Sequence, residues 1–199
     1  MHPSSLDFSN LPPILAEGST RVDLPLLQKL YVIDEYLCSR FPQTAGLGDV
    51  GLILSRPLRE DGAWCKPTNA LEFAATGGES DHYCLLIRDG LIDESSPVVM
   101  MWPTAPDEDR TTIVGESLYD FLCFGIHTGY FFIFGDADDE RPDDTSGLWF
   151  VPSVSEENRN ILRLMAQELG LKPWPVETYD ERFHLLQSRF LHLFDVPEE

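Results

Sequence analysis

Apolar residues in this chain fall into short runs broken by glycine and proline, and the stretch that organises them is Thr68 to Ile87, TNALEFAATGGESDHYCLLI. Ala70, Leu71, Phe73, Ala74 and Ala75 form one run and His82 to Ile87 a second, with Gly77 and Gly78 between them. A tight reversal demands positive φ, which glycine adopts at little steric cost, so the pattern predicts two strands folded on a glycine turn. Glu79, Ser80 and Asp81 give this apolar hairpin a polar tip. Pro97 to Trp102, PVVMMW, is a further strand whose continuous apolar character predicts burial on both faces. Gly51 to Ser55 reads as a short strand before a polar loop through Arg59, Glu60, Asp61 and Gly62. Arg88-Asp89-Gly90 reads as a turn and Ile113-Val114 as a brief extended piece.

Helical spacing is equally clear. Leu26, Leu30, Ile33 and Leu37 recur at intervals of 4, 3 and 4, one apolar stripe. Asp23 is placed to cap that helix, Pro25 fits its first turn, and Phe41-Pro42 stops it before Gly46 and Gly48 loosen the chain. Ser117 with Asp120 reads as a capping box opening a second helix, with Leu118, Phe121, Leu122 and Gly125 toward the core and Gly129 at its end. Tyr130 to Phe134 is either a last strand or a buried edge. Two more helices follow. One opens at Ser153 or Ser155, buries Ile161, Leu162, Met165 and Leu169, and closes on Gly170. The other opens with Thr178 and Glu181, a capping box, and carries Phe183, Leu186, Phe190 and Leu193. Residues 1–20, with three prolines and little periodicity, read as a surface arm.

Composition changes this picture in one respect, charge. Thirty-four acids against fourteen bases give −20 at pH 7 in 199 residues. Such a field repels nucleic acid and anionic lipid and steers basic proteins inward, although acidity also serves simple solubility. The chain is long enough for one well-buried core. It has no run approaching a membrane span and no basic or apolar leader at its start. Cys38, Cys65, Cys84 and Cys123 stand singly, which points to reduced thiols and a cytoplasmic location.

Candidate chemistry was tested against its structural alternatives. Asp136 to Asp144 holds six acids and one base and invites a calcium reading. Counting from Asp136, however, the sixth position is Arg141 where an EF-hand needs glycine, and the twelfth is Gly147 where it needs glutamate. A solvated loop is the better account. His82 and Cys84 share one side of a strand without a second metal-ligating pair, so packing is the expected role of Cys84. Ser80, Asp81 and His82 alternate across an extended chain and cannot form a serine relay among themselves. Gly77-Gly78 lacks the endings of the phosphate-binding loops and is flanked by acids. Arg159, Arg163, Arg182 and Arg189 gather on the last two helices, either as a positive side of the molecule or as ordinary surface pairs.

TNALEFAATGGESDHYCLLI, then SSPVVMMWP, then IVGESLYDFLCFGIHTGYF, resembles the bacterial members of the SUKH superfamily, relatives of the yeast cell-wall assembly regulators. The likeness covers roughly residues 23–135; the tail, with ELGLKPWP and its following helix, resembles an extension of some members. Where bacterial relatives tend to carry a Gly-Gly-Asp-Gly turn, this chain has Gly77-Gly78-Glu79-Ser80. The resemblance implies an α+β fold, a mixed, mostly antiparallel sheet flanked by helices with a C-terminal helical extension. One domain would span 1–199: a core about 23–135, an acidic loop 136–147 and the extension 148–199. It also implies no enzymatic activity; from the failed motifs above, no cofactor or metal is expected. Many bacterial members are immunity proteins that neutralise a toxin domain, often a nuclease; the alternative is a scaffold joining several partners. With the charge, the expectation is a basic protein partner held by acidic loops at one end of the sheet. The residues expected to hold it are Glu79 and Asp81, then Asp107, Glu108 and Asp109, and Asp136, Asp138, Asp139 and Glu140. Nucleic acid and membrane are excluded as partners by the same field.

Overall fold

The computed structural model describes residues 6–60, 65–77, 81–105, 110–131, 148, 150–175 and 178–193. The fold is α+β. Its centre is the expected hairpin: β3 (Ala70–Ala75) and β4 (His82–Leu86) pair antiparallel, and Gly77 takes φ +81° where the chain reverses. Gly78 lies outside the described residues. β2 (Ile53–Arg59) pairs with β3, and β6 (Val98–Met101) with β4 on the other side. β7 (Thr111–Gly115) completes a five-stranded antiparallel sheet in the order β2-β3-β4-β6-β7. All four residues of β6 are buried, as their unbroken apolar run demands of a strand covered on both faces. Parallel strands pair apart from this sheet, β1 (Arg21–Asp23) with β5 (Leu91–Asp93), and Ala16 makes a single parallel bridge to Leu58 of β2.

Helix α1 (Pro25–Arg40) buries Leu26, Leu30, Ile33 and Leu37, the predicted stripe. Asp23 does not cap it: that residue is extended in β1, opposite Asp93, and Leu24 stands at the N-cap without a side-chain bond. Glu94 Oε1 instead accepts the Leu26 N–H at 3.1 Å, so the orphan donor finds its acceptor across the chain. Gly46 and Gly48 do not loosen the chain either. They lie in a 3-10 turn, Gly46–Val50, anchored by Asp34 Oδ1 accepting the Leu47 N–H at 2.9 Å. β2 runs to Arg59 rather than stopping at Ser55, and Leu15–Glu17 of the N-terminal arm bonds to Leu58 along its outer edge. At the β4–β5 turn, Asp89 and Gly90 take φ +51° and +72°, and Arg88 and Leu91 exchange both backbone bonds at 3.0 Å. That is the geometry an Asp-Gly pair is suited to.

Helix α2 (Leu118–Gly125) opens on Ser117, whose hydroxyl accepts the Asp120 N–H at 3.1 Å. It ends at Gly125 rather than Gly129; past Gly129, the Tyr130 N–H bonds to Val50 O at 2.7 Å. Tyr130 is buried and Phe131 exposed; residues 132–134 lie outside the described ones. Helix α3 (Glu156–Leu169) is capped by Ser155, which accepts the Asn158 N–H at 3.2 Å, and closes on Gly170 at φ +62°. Ile161, Leu162 and Met165 are buried there and Leu169 is half-buried at the C-terminal end. Helix α4 (Tyr179–Phe190) starts at Thr178, but its capping box does not form: the Thr178 hydroxyl donates to Pro175 O at 2.7 Å. Leu186 and Phe190 are buried, Phe183 and Leu193 half-buried.

The buried residues of α3 and α4 belong to the same apolar cluster as the sheet and α1. Phe73, Tyr83, Phe121 and Tyr130 form its aromatic centre, with ring centroids 4.7 to 6.4 Å apart. Gln187 of α4 closes the β7 edge, accepting the Ile113 N–H at 3.3 Å and donating to Ile113 O at 2.8 Å. Both edges of the large sheet are therefore occupied by the chain itself, β2 at Leu58 and β7 at Ile113, which protects against edge-to-edge association. Among the described residues no helix is long and apolar enough to cross a membrane.

Candidate functional site

Register brings five distant positions into one line. Ile53 faces Ala75, Ala75 faces His82, His82 faces Met101 and Met101 faces Thr111. This row marks one end of the five-stranded sheet. The β3–β4 and β6–β7 connections both leave the sheet and return to it there. The chain also departs for residues 132–147 from this end. A Cβ on Gly51, at φ +87°, would lie 2.6 Å from the Phe131 nitrogen, and Gly51 stands two residues before Ile53. Three stretches whose acids were expected to bind a partner thus set out from one place.

Of those acids, Asp81 is described: it is half-buried, and its carbonyl accepts the Thr76 N–H at 2.9 Å, closing the hairpin. Glu79, Asp107, Glu108, Asp109, Asp136, Asp138, Asp139 and Glu140 lie outside the described residues. Three large apolar side chains are exposed at the same end: Ile53 at 49%, Trp102 at 42% and Phe131 at 39%.

Beneath the row lies a polar cluster that sequence reasoning missed. His82 pairs with Glu72, whose Oε2 is 2.7 Å from Nδ1. Glu72 is buried inside an otherwise apolar strand, and the β3–β4 register carries its carboxylate to the histidine ten residues on. Ser55 Oγ donates to Glu72 Oε1 at 3.1 Å, and the Arg59 guanidinium stands 3.9 Å from the same oxygen. Burial pushes the Glu72 carboxyl up, but the His82 bond and charge, the Ser55 bond and Arg59 outweigh it and hold it below the usual range. Both Ser55 and His82 are bonded to the carboxylate. A serine relay requires the imidazole between hydroxyl and acid, so the cluster is not one. The legible signal was the lone acid in ALEFAA, since an unpaired buried carboxylate would be too costly to keep.

A second polar cluster ties the C-terminal helices down. Asp120, buried on α2, accepts the Glu116 N–H on Oδ2 at 3.0 Å and the Trp174 Nε1–H on Oδ1 at 2.9 Å. Arg182 of α4 bonds to the same Oδ1 and lies 4.1 Å over the Trp174 ring. Trp174 stacks on Phe124 at 4.6 Å, and Tyr179 meets both rings edge-on. Burial raises the Asp120 carboxyl above its usual range against the pull of the Glu116 N–H, Arg182 and Trp174. Three of the four arginines of the last two helices are ordinary surface pairs, Arg159 and Arg163 with Glu156 and Arg189 with Glu116, whereas Arg182 pairs with the buried Asp120. All four cysteines are free thiols, and burial pushes Cys84 far up, in keeping with a packing role. Among the described residues no group of three histidine, cysteine or carboxylate side chains is placed to hold a metal ion. No known family, curated protein or solved structure matches this chain.

Proposed function

We propose that this protein is a non-enzymatic, cytoplasmic binding module that neutralises a basic protein partner, in the manner of an immunity protein acting on a toxin domain such as a nuclease. The observation that carries the reading is the uncompensated charge. The chain has 34 acids to 14 bases. Among the described residues Arg56, Arg59, Arg159, Arg163, Arg182 and Arg189 are already held by carboxylates of the chain itself. These pairs use up acids and bases alike, so the excess of twenty acids stands. A nuclease presents a basic cleft to its substrate, and an acidic surface can occupy it and speed the encounter. The likeness to the SUKH pattern supports the same class. The self-occupied sheet edges favour recognition by loops over strand addition at Leu58 and Ile113.

The test is capture of partners from the native cell, followed by expression of each captured protein with and without this chain. The expected result is a basic protein whose expression is toxic alone and tolerated in the chain's presence. Its association rate should fall steeply as salt shortens the Debye length below about 8 Å. Relief of toxicity by no captured protein, or binding indifferent to salt, refutes the reading.

A second reading, a scaffold that docks partners on its terminal helices, is favoured by one observation. Leu185 and Leu191 of the α4 region are 60% and 53% exposed. Leu185 lines a groove of about 490 Å³ with Pro175, Leu186, Arg182 and Arg189. Salt-independent binding lost on Leu185→Ser would put it ahead.

A further inference from the structure

We propose that the outer face of α4 is the seat of a two-fold dimer, in which a second copy of this chain lays its own α4 antiparallel across Leu185. This contact stands independently of the binding-module reading, because it involves none of the acids expected to hold a basic partner.

Exposed positions of α4 recur as Glu181, His184, Leu185, Ser188 and Arg189, the spacing of one helical stripe. Leu185 is the apolar member of this row, 60% exposed, and it also lines the groove of about 490 Å³ with Pro175 and Leu186. One exposed leucine alone is ordinary. The charges around it are what select a partner. Glu181 stands four residues before Leu185 and Arg189 four after, about one helical turn either way. A two-fold axis at Leu185 runs a second α4 antiparallel to the first, so Glu181 of each copy faces Arg189 of the other. The two Leu185 side chains then pack beside each other on the axis, and each copy covers the other's groove. A parallel copy in the same register would set Glu181 against Glu181 and Arg189 against Arg189. The order of charge along the stripe therefore favours the closed, isologous pair.

Charge also decides the occupant. Two molecules of charge −20 repel wherever acids predominate, over about the 8 Å that physiological salt leaves unscreened. The charged lining of the α4 groove is balanced, Glu116 and Glu181 against Arg182 and Arg189. A second acidic copy meets no local excess of like charge there, whereas a basic partner finds no net attraction at the same place. Arg189 reaches Glu116 of its own chain at 2.7 Å, and Glu181 makes no ion pair among the described residues, so the second copy's arginine supplies its first. A helix of 12 residues is about 18 Å long, so its contact alone falls short of the roughly 1,200 Å² of a stable interface. The dimer is accordingly one that dissociates on dilution.

The experiment is sedimentation equilibrium of the full chain in about 0.15 M salt, from about 1 μM to about 1 mM. The weight-average mass should climb from 22.5 kDa towards twice that value. Leu185→Glu sets two like charges on the axis and should hold the mass at that of one chain. Glu181→Arg and Arg189→Glu should each raise the dissociation constant at least about tenfold, because each homodimer then opposes like charges. An equimolar mixture of these two variants should associate as tightly as wild type, since arginine and glutamate face each other again at both contacts. A merely structural effect of either substitution cannot be rescued by mixing. All variants are first matched to wild type in melting temperature. If Arg189→Glu fails that match through loss of its Glu116 pair, Leu185→Glu and Glu181→Arg still decide whether this face is the contact. A wild-type mass that stays at one chain throughout overturns the dimer, and one that climbs past two chains overturns its closure. Self-association unchanged by Leu185→Glu overturns the surface, and a mixture no tighter than its components overturns the antiparallel register.

Discussion

Trp174→Ala probes how the C-terminal helices are held. The indole is 2% exposed, stacked on Phe124 at 4.6 Å, and hydrogen-bonded through Nε1 to Asp120 at 2.9 Å. Truncating a buried tryptophan to alanine costs about 3–5 kcal/mol in transfer and cavity terms. Asp120 keeps the Glu116 N–H and Arg182, so the lost donor adds only about 1 kcal/mol, the lower end for a buried acceptor. Arg182 also loses the ring it stacks on, which is worth about 0.5–1 kcal/mol at a partly exposed site. The sum is about 4.5–7 kcal/mol, and at roughly 2–4 °C per kcal/mol for a chain of this size the melting temperature should fall by about 9–28 °C. Trp174→Phe keeps the stack and loses the N–H and part of the volume, so it should cost about 1–2 kcal/mol. Urea unfolding followed by circular dichroism gives both numbers, and an unchanged slope against denaturant indicates that the chain still unfolds as one unit. A Trp174→Ala variant within about 1 kcal/mol of wild type refutes the argument. So does proteolysis that releases a stable core ending near Asp136, because the helices would then be tethered rather than packed.

Two further substitutions address the other polar devices. Glu72 has a folded-state pKa held below its ordinary value. Its ionised form therefore stabilises the fold above the unfolded pKa of about 4.3, and that stability is lost as pH falls through the lower folded value. Glu72→Gln should cost about 1.5–3 kcal/mol at pH 7 and flatten the acid limb of melting temperature against pH; identical acid limbs in the two proteins would exclude Glu72 from that transition. Gln187→Ala removes both bonds to the Ile113 backbone and leaves the β7 edge open. Stability should drop by about 1–2 kcal/mol and self-association should rise in light scattering; a variant as monodisperse as wild type would mean the edge is guarded by other groups.

What the sequence by itself determined was whatever depends on neighbours within one or two turns of chain. The Leu26, Leu30, Ile33 and Leu37 stripe, the Ser117 and Ser155 caps, Gly170 at a helix end and the Asp89-Gly90 turn were all legible, because covalent geometry and local hydrogen bonding dictate them. The apolar density of PVVMMW announced a strand covered on both faces for the same reason. Only the tertiary structure decided which groups meet. Asp23 looked like a cap, but pairing of β1 with β5 needed it extended, and Glu94 took over the role from 68 residues beyond Leu26. Thr178 had the spacing of a capping box, yet the nearby Pro175 carbonyl claimed its hydroxyl. Glu72 and His82 show no link along the chain until the hairpin register joins them, and Trp174 gained its meaning from Asp120, 54 residues earlier. The row at one sheet end is of the same kind: Ile53, Ala75, His82, Met101 and Thr111 are scattered along the chain, and the antiparallel register of five strands lines them up. Local preferences act over a few bonds, whereas contacts between distant segments are set by how one core can close, and a linear reading carries no information on that closure.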